Sequence, residues 1–561
     1  MTRQRIWRLA AAAAVAGGVL SNAPFTRVSA AAAACPTVTT VRPTIYAGTS
    51  QQRAPATVLT AKGQVRVFAM QHIQELSRAA TYASIYADLD CDLRRSVDSW
   101  RANDRPNIVV YNELNGIMYG AEGSRGALAR QASSGATLLG QLTGQAGAGG
   151  IGAVAPFYTP QLAYYSEKFG PPQSSNATVE RLFTAITDTM VRSVVENGSK
   201  LASAHHVYVV LGAPLPIVEG AACAGAYAHW RACPGWHRST APQDIAALED
   251  PDLAPASYVY VADTQNIDNV ELVFAPDGTL YDLQPKVNLT PIELSPLGWH
   301  QASPSTIHAI GLHGADAVHS ARIRMGIAIS LDAFEESLVS SGDPCADPLA
   351  YMQCLDSKGV NVVLQPEFND GTKQCMSWTD FTEACGTPQA SWQPLSWMAS
   401  SWYAVQGRKA DGSFAFHNFQ YAVDPFLVGN LFDVSGDGQS AIFARDDPRA
   451  TRYWYSGDSS GALYARAGAY TDRADDSHFA RYEGAQPGFL ALMPWKIREG
   501  TPASIYRVRA PGLPPGDRGS LQSCEKGLAP GSGVTATQSP LCSENDYIAG
   551  ALVADLFPRA G

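Results

Sequence analysis

A serine, two glutamates and a lysine stand where chemistry could use them. Ser330 ends the apolar run Met325–Ile329 and is followed by Asp332, Glu335 and Glu336. The run reads as a buried strand, and the acidic turn after it suits a helix N-terminus. A strand that breaks at one small hydroxyl residue and reverses into a helix is one way a fold exposes a nucleophile. Glu113 closes a second apolar run that begins at Asn107. Lys286 and Glu293 lie in a Pro-punctuated loop, the glutamate seven positions after the lysine. Addition to an amide or nitrile carbon needs a nucleophile, a base for its proton and a positive charge near the atom that becomes anionic. Glu113 could be that base, the more so if burial raises its pKa, and Lys286 could supply the charge. Singly, each residue has a plainer reading. A serine after a strand is most often a helix N-cap, a strand-end glutamate an ion-pair partner, a loop lysine a solvated side chain. Their order and context separate the two readings.

That order, a strand ending in Glu, then a Lys segment, then an elbow, resembles the nitrilase (carbon–nitrogen hydrolase) superfamily. Residues 286–293 are similar to the family's K-x-x-L-x-P-x-E segment. Gly326, Ile329, Ser330 and Asp332 follow its G-x-x-I-C-x-D elbow, with serine in place of the nucleophilic cysteine. The resemblance implies that Glu113 is the general base, that Lys286 stabilises the oxyanion and that Glu293 positions substrate. It implies a four-layer α-β-β-α sandwich, an α/β fold, and a small-molecule amide-type substrate. A secreted chain with a C-terminal extension is similar in layout to the vanin and biotinidase branch.

The elements that would hold these residues can be read along the chain. Residues 107–113 read as a buried strand, and 207–211 and 258–262 as further strands by β-branched and aromatic content. The resemblance implies that 64–71 is the first strand, 270–278 the hairpin before the lysine, 359–366 the strand after the elbow and 437–442 a late core strand. Helices are expected over 72–100 and 179–195, the second from apolar residues at helical spacing. Strands separated by helices imply an α/β sheet. The expected organisation is a signal peptide at 1–34, a carbon–nitrogen hydrolase-like domain with insertions at 60–445, and a β-rich, disulfide-closed C-terminal extension at 480–561. The Gly-rich stretch 140–152 lacks the Lys-Ser/Thr of a phosphate loop.

Composition places the chain. Of 561 residues, 46% are hydrophobic, ample for a core, and 49 Gly and 36 Pro point to many loops. Arg3, Arg5 and Arg8 precede the apolar stretch Leu9–Leu20, which is too short to span a bilayer, and small residues 30–34 follow; this reads as an export signal. The net charge of −10 becomes −14 once the four arginines of residues 1–34 are removed (−10 − 4), with no basic stripe to suit nucleic acid. No transmembrane segment is expected, a lipid on Cys35 is a minor alternative, and a homodimer is an open assembly. The ten cysteines include four close pairs, 223/233, 345/354, 375/385 and 524/542, which suggest short disulfide loops, with Cys35 and Cys91 left to each other. Their spacings are not those of a zinc finger, and no metal or cofactor is expected. Three functions follow from this reading: an exported hydrolase of non-peptide C–N bonds using Glu113, Lys286 and Ser330, a catalytically inactive nitrilase-like binding protein, or a disulfide-rich interaction protein. The serine sharpens the choice, because an alcohol is a far weaker acid than a thiol near pKa 8.5. His72, His205 and His206 lie near strand ends as potential partners.

Overall fold

Alternation along the strands divides their side chains between separate cores. In Val65–Gln71, Val65, Val67 and Ala69 join one apolar cluster, whereas Phe68 and Met70 join another. Asn107–Val110 does the same, with Ile108 and Val110 on one side and Val109 on the other. Successive strand residues point to opposite faces, and a strand buried on both faces reads as a continuous apolar run. The computed structural model describes residues 35, 45–47, 65–131, 154–170, 177–295, 297–312, 322–334, 342–368, 400–409, 411–431, 434–436, 440–445, 489–492 and 549–558. All of them belong to one compact unit.

Two mixed sheets carry the core. The larger runs in the order Ile45–Ala47, Gly550–Leu556, Val65–Gln71, Asn107–Val110, Tyr208–Glu219, Ile267–Phe274, Leu280–Pro285, with Ala232–Pro234 paired to Tyr208–Glu219. The second runs Ile310–Gly311, Arg324–Ile327, Val362–Leu364, Tyr421–Asp424, Ala441–Ala444, Phe489–Leu492. Each has a central parallel set, Val65–Gln71 with Asn107–Val110 and Tyr208–Glu219 in one, and Arg324–Ile327 with Val362–Leu364 and Tyr421–Asp424 in the other. Met325, Ile327, Val362 and Leu364 share a cluster with Val67, Val110 and Val210 of the larger sheet. Val363 and Ala422, from the opposite face, pack with Tyr351, Leu355 and Val405 of the helices Tyr351–Ser357 and Trp402–Gln406. On the larger sheet Phe68 and Val109 pack with Ile85, Leu89 and Leu93 of the helix Tyr82–Ser96.

Several elements differ from the sequence reading. The helix expected from His72 begins only at Tyr82, where Thr81 and Ser84 form a capping box. Before it, Ile73–Glu75 leaves the first strand to pair with Val428–Leu431, and Leu76–Ala80 is a 3-10 turn. The helix expected over 179–195 is a broken series, Ala177–Ala185, Thr187–Met190, a π turn at Val191–Glu196, and Asn197–His205. Strands Phe489–Leu492 and Gly550–Leu556, from the stretch expected as an extension, pair into the two sheets. Disulfides join Cys35–Cys91, Cys223–Cys233 and Cys345–Cys354. The first leaves Cys35 no thiol for a lipid. The pairs 375/385 and 524/542 and the Gly-rich stretch 140–152 lie outside the described residues. Among the described residues no helix is long and apolar enough to cross a membrane.

Candidate active site

Three strand ends and one loop deliver polar side chains to the same place. Glu113 follows Asn107–Val110, Ser330 follows Arg324–Ile327, and Lys286 follows Leu280–Pro285. Ligand sites in open α/β sheets collect at such carboxyl ends. Ser330 has φ +45°, and Leu114, the residue after Glu113, has φ +54°. Left-handed backbone at non-glycine residues costs about 1–3 kcal/mol and clusters at functional sites. The elbow is braced from behind. Tyr351 Oη donates to Ile327 O at 2.6 Å. At Gly326 a Cβ would stand 2.9 Å from Leu355 Cδ2 and 3.0 Å from the Val360 side chain, so any larger residue would have to push both aside.

Glu113, Lys286 and Glu293 are in direct contact. Lys286 Nζ donates to Glu113 Oε1 at 2.7 Å and to Glu293 Oε2 at 3.0 Å and Oε1 at 3.1 Å. Asn269, from Ile267–Phe274, bridges the two acids, its Nδ2 donating to an oxygen of each at 2.7 Å. Glu293 also closes a capping box: its Oε2 accepts from Thr290 N at 2.8 Å and Thr290 Oγ1 at 2.9 Å. All four side chains are buried, Lys286 to 1% exposure. Burial alone would lower the Lys286 pKa, but the Glu113 and Glu293 charges outweigh it and raise it above the ordinary lysine value. Burial raises Glu113, against the pull of Lys286.

Ser330 hydrogen-bonds to a different acid. Its Oγ donates to Glu367 Oε1 at 2.7 Å, while Gln365 Nε2 donates to Glu367 Oε2 at 3.1 Å. Three consecutive residues join the serine to the lysine cluster. Pro366 O accepts from Ser330 N at 3.1 Å, the Glu367 carboxyl accepts from the hydroxyl, and Phe368 N donates to Glu113 Oε2 at 3.1 Å. Burial, reinforced by the Glu113 charge, pushes the Glu367 pKa up to about 8, against the bonds from Ser330 and Gln365. The raised value favours the protonated form of Glu367 at neutral pH.

Glu367 and Asn269 were not singled out from sequence. Glu367 lies just past the strand expected at 359–366, and nothing in its spacing ties it to Ser330. The T-x-x-E spacing of Thr290 and Glu293 was a readable capping-box signal. Asp332, expected as a helix-start acid, instead clamps the lysine loop to the elbow. Its Oδ1 accepts from Asn288 N at 2.7 Å and Val287 N at 3.2 Å, and its pKa rises to about 7 through burial, opposed by Lys286. Glu335 and Glu336 lie outside the described residues. The histidines go elsewhere. His72 is held by Asp92 and Asp88, and His205 by Asp98 and Asp90; His206 is the αL cap of its helix.

No family profile matches the sequence, and no curated protein does. Among solved structures the chain is similar to the amidase from Nesterenkonia sp. AN1. A cysteine-to-alanine mutant in complex with butyramide matches at 10% identity and TM-score 0.31, over 69% of this chain and 85% of that one. A cysteine-to-serine mutant of that amidase, described as from the nitrilase superfamily, matches at 11% identity and TM-score 0.30, over 69% and 86%. Overlap of this size decides neither fold nor activity.

Proposed function

We propose that this chain is an exported carbon–nitrogen hydrolase-like protein of the nitrilase type, built as a four-layer α-β-β-α sandwich. It acts on the non-peptide amide bond of a small molecule through Glu113, Lys286 and Ser330. The observation that carries the reading is the contact of Lys286 with both Glu113 and Glu293, linked through Pro366–Phe368 to a hydroxyl at a left-handed elbow. The paired cysteines support the export part of the reading.

In this reading Ser330 Oγ adds to the amide carbonyl carbon and its proton passes to Glu367. The carbonyl electron pair moves to oxygen, where the Lys286 cation stabilises the charge. Collapse expels the amine, which leaves with the proton from Glu367, and an ester on Ser330 remains. Water then adds with Glu367 as base, releasing the carboxylic acid and restoring the hydroxyl. Glu113, which the resemblance casts as base, holds Lys286 and the Phe368 N–H, and Glu293 fixes the lysine from its other side.

Glu367 must be ionised to accept a proton, so the rate of amide hydrolysis is expected to be low at pH 6 and to climb through about pH 8. Glu367→Gln is expected to remove both the climb and the activity. A rate independent of pH from 6 to 9, or an active Glu367→Gln variant, would show that this acid is not the base. The protonated state of Glu367 at neutral pH also favours a second reading, a catalytically inactive nitrilase-like binding protein. A chain that binds small amides but hydrolyses none between pH 6 and 10 would decide for it.

A further inference from the structure

Away from the serine, a second cluster assembles where the strands Tyr208–Glu219 and Ile267–Phe274 meet the segment after Glu293. Asp268 adjoins Asn269, the residue that bridges the two site glutamates, and neighbouring strand residues point to opposite faces. On that other face Asp268 Oδ1 lies 3.0 Å from His300 Nδ1, and Glu219 Oε1 lies 3.9 Å from the same nitrogen. One ligand atom from each of the three residues lies within 4.8 Å of the others.

An ion pair between Asp268 and His300 does not account for all of this. Asp268 is 0% exposed, yet its Oδ2 has no hydrogen-bond partner among the described residues. A buried carboxylate oxygen left unpaired is costly. A cation bound by the Asp268 carboxylate among the three side chains would offset that cost. We propose that Glu219, Asp268 and His300 form a binding site for a divalent metal of the zinc class.

The geometry and the donors suit that class. Zinc takes His nitrogen at about 2.0–2.1 Å and carboxylate oxygen at about 2.0–2.2 Å, which sets tetrahedral ligand edges near ~3.4 Å. The two distances from His300 Nδ1 fall on either side of that value. Glu219 and His300 keep side-chain exposures of 21% and 34%, so the ion has a route from solvent and room for water as its remaining ligand. The ligands are also held in place. Ser303 N donates to both Glu219 oxygens at 3.1 and 3.2 Å, His300 N donates to Ile267 O at 2.7 Å, and the Cys223–Cys233 bridge lies just beyond Glu219.

The site would tie down the segment that backs the candidate active site. Trp299 N donates to Glu293 O at 2.9 Å and Ala302 N to Lys286 O at 3.2 Å, and His300 lies between them. Occupancy therefore fixes the backbone beside both residues without contact with Ser330, and the proposal stands whether or not Ser330 is a nucleophile.

The test is calorimetric titration of the chelator-treated, tag-free protein with zinc chloride, with the thermal midpoint followed alongside. One zinc per chain and a raised midpoint are expected. Asp268→Asn and His300→Ala should each weaken binding by roughly tenfold or more, since even outer partners of a metal are worth 10–100-fold. His300 is partly exposed, so its variant tests the site even if Asp268→Asn misfolds. Asp252→Asn, in an acidic cluster whose Asp252 Oδ2 already accepts from Ser124 N, should bind zinc like the parent. No stoichiometric binding by the parent, or undiminished binding by His300→Ala, would overturn the assignment.

Discussion

Ser330→Cys is expected to convert the elbow into a thiol-reactive site and to raise amide hydrolysis at pH 7.5 by about tenfold or more over the parent. The reason is acidity. A thiol near pKa 8.5 ionises close to neutrality, whereas a serine hydroxyl depends on Glu367 being deprotonated, and that acid holds its proton up to about pH 8. The lysine, its two carboxylates and the left-handed turn are already in place to receive a thiolate. Iodoacetamide should label the introduced thiol on the peptide that contains residue 330, whereas the six cysteines paired among the described residues should stay unlabelled. Glu113→Gln and Lys286→Ala should each abolish the gain. Rate measurements with a panel of small amides, together with peptide mapping of the label, check this. A variant that is neither labelled nor active would mean that the elbow does not admit a small electrophile.

The second large effect concerns stability. Lys286→Met leaves Glu113 and Glu293 buried with no countercharge. Removing one partner of a buried ion pair costs about 3–5 kcal/mol, because an uncompensated charge stays behind. Most of the loss should appear as a lower denaturant midpoint. Glu113→Gln in the same chain should recover part of it, since one of the two stranded charges is then gone. Equilibrium denaturation of the parent, both single variants and the double variant gives the coupling directly. A Lys286→Met variant within about 0.5 kcal/mol of the parent, the range of an ordinary surface change, would mean that the buried contact is not formed.

What could be read from sequence was what local pattern encodes. Apolar runs leading to Glu113 and Ser330 marked the two strands, because a run buried on both faces leaves a continuous apolar stretch, although the strands stop at Val110 and Ile327, short of those residues. Lys286 and Glu293 could be placed in one loop. Pairing across the chain left no such trace. Gly550–Leu556 sits beside Val65–Gln71, a neighbour that only the folded sheet reveals. The helix expected from His72 starts late because Ile73–Glu75 is drawn into a small sheet with Val428–Leu431, which overrides local preference. Glu367 was passed over for a related reason. Its acid meets Ser330 only because Val362–Leu364 lies parallel to Arg324–Ile327, so that both chains end at the same level. Glu219, Asp268 and His300 were equally invisible, being brought together by two strands and a returning segment with no shared spacing.

The most direct test of the central claim is to look for the ester itself. The parent protein, incubated at pH 9 with an activated small amide or ester and quenched in acid, should carry one acyl group on the peptide that contains Ser330. Mass spectrometry would locate it there, and Ser330→Ala and Glu367→Gln should show none. Acyl transfer with no adduct on Ser330, or an adduct that survives unchanged in Ser330→Ala, would contradict the account.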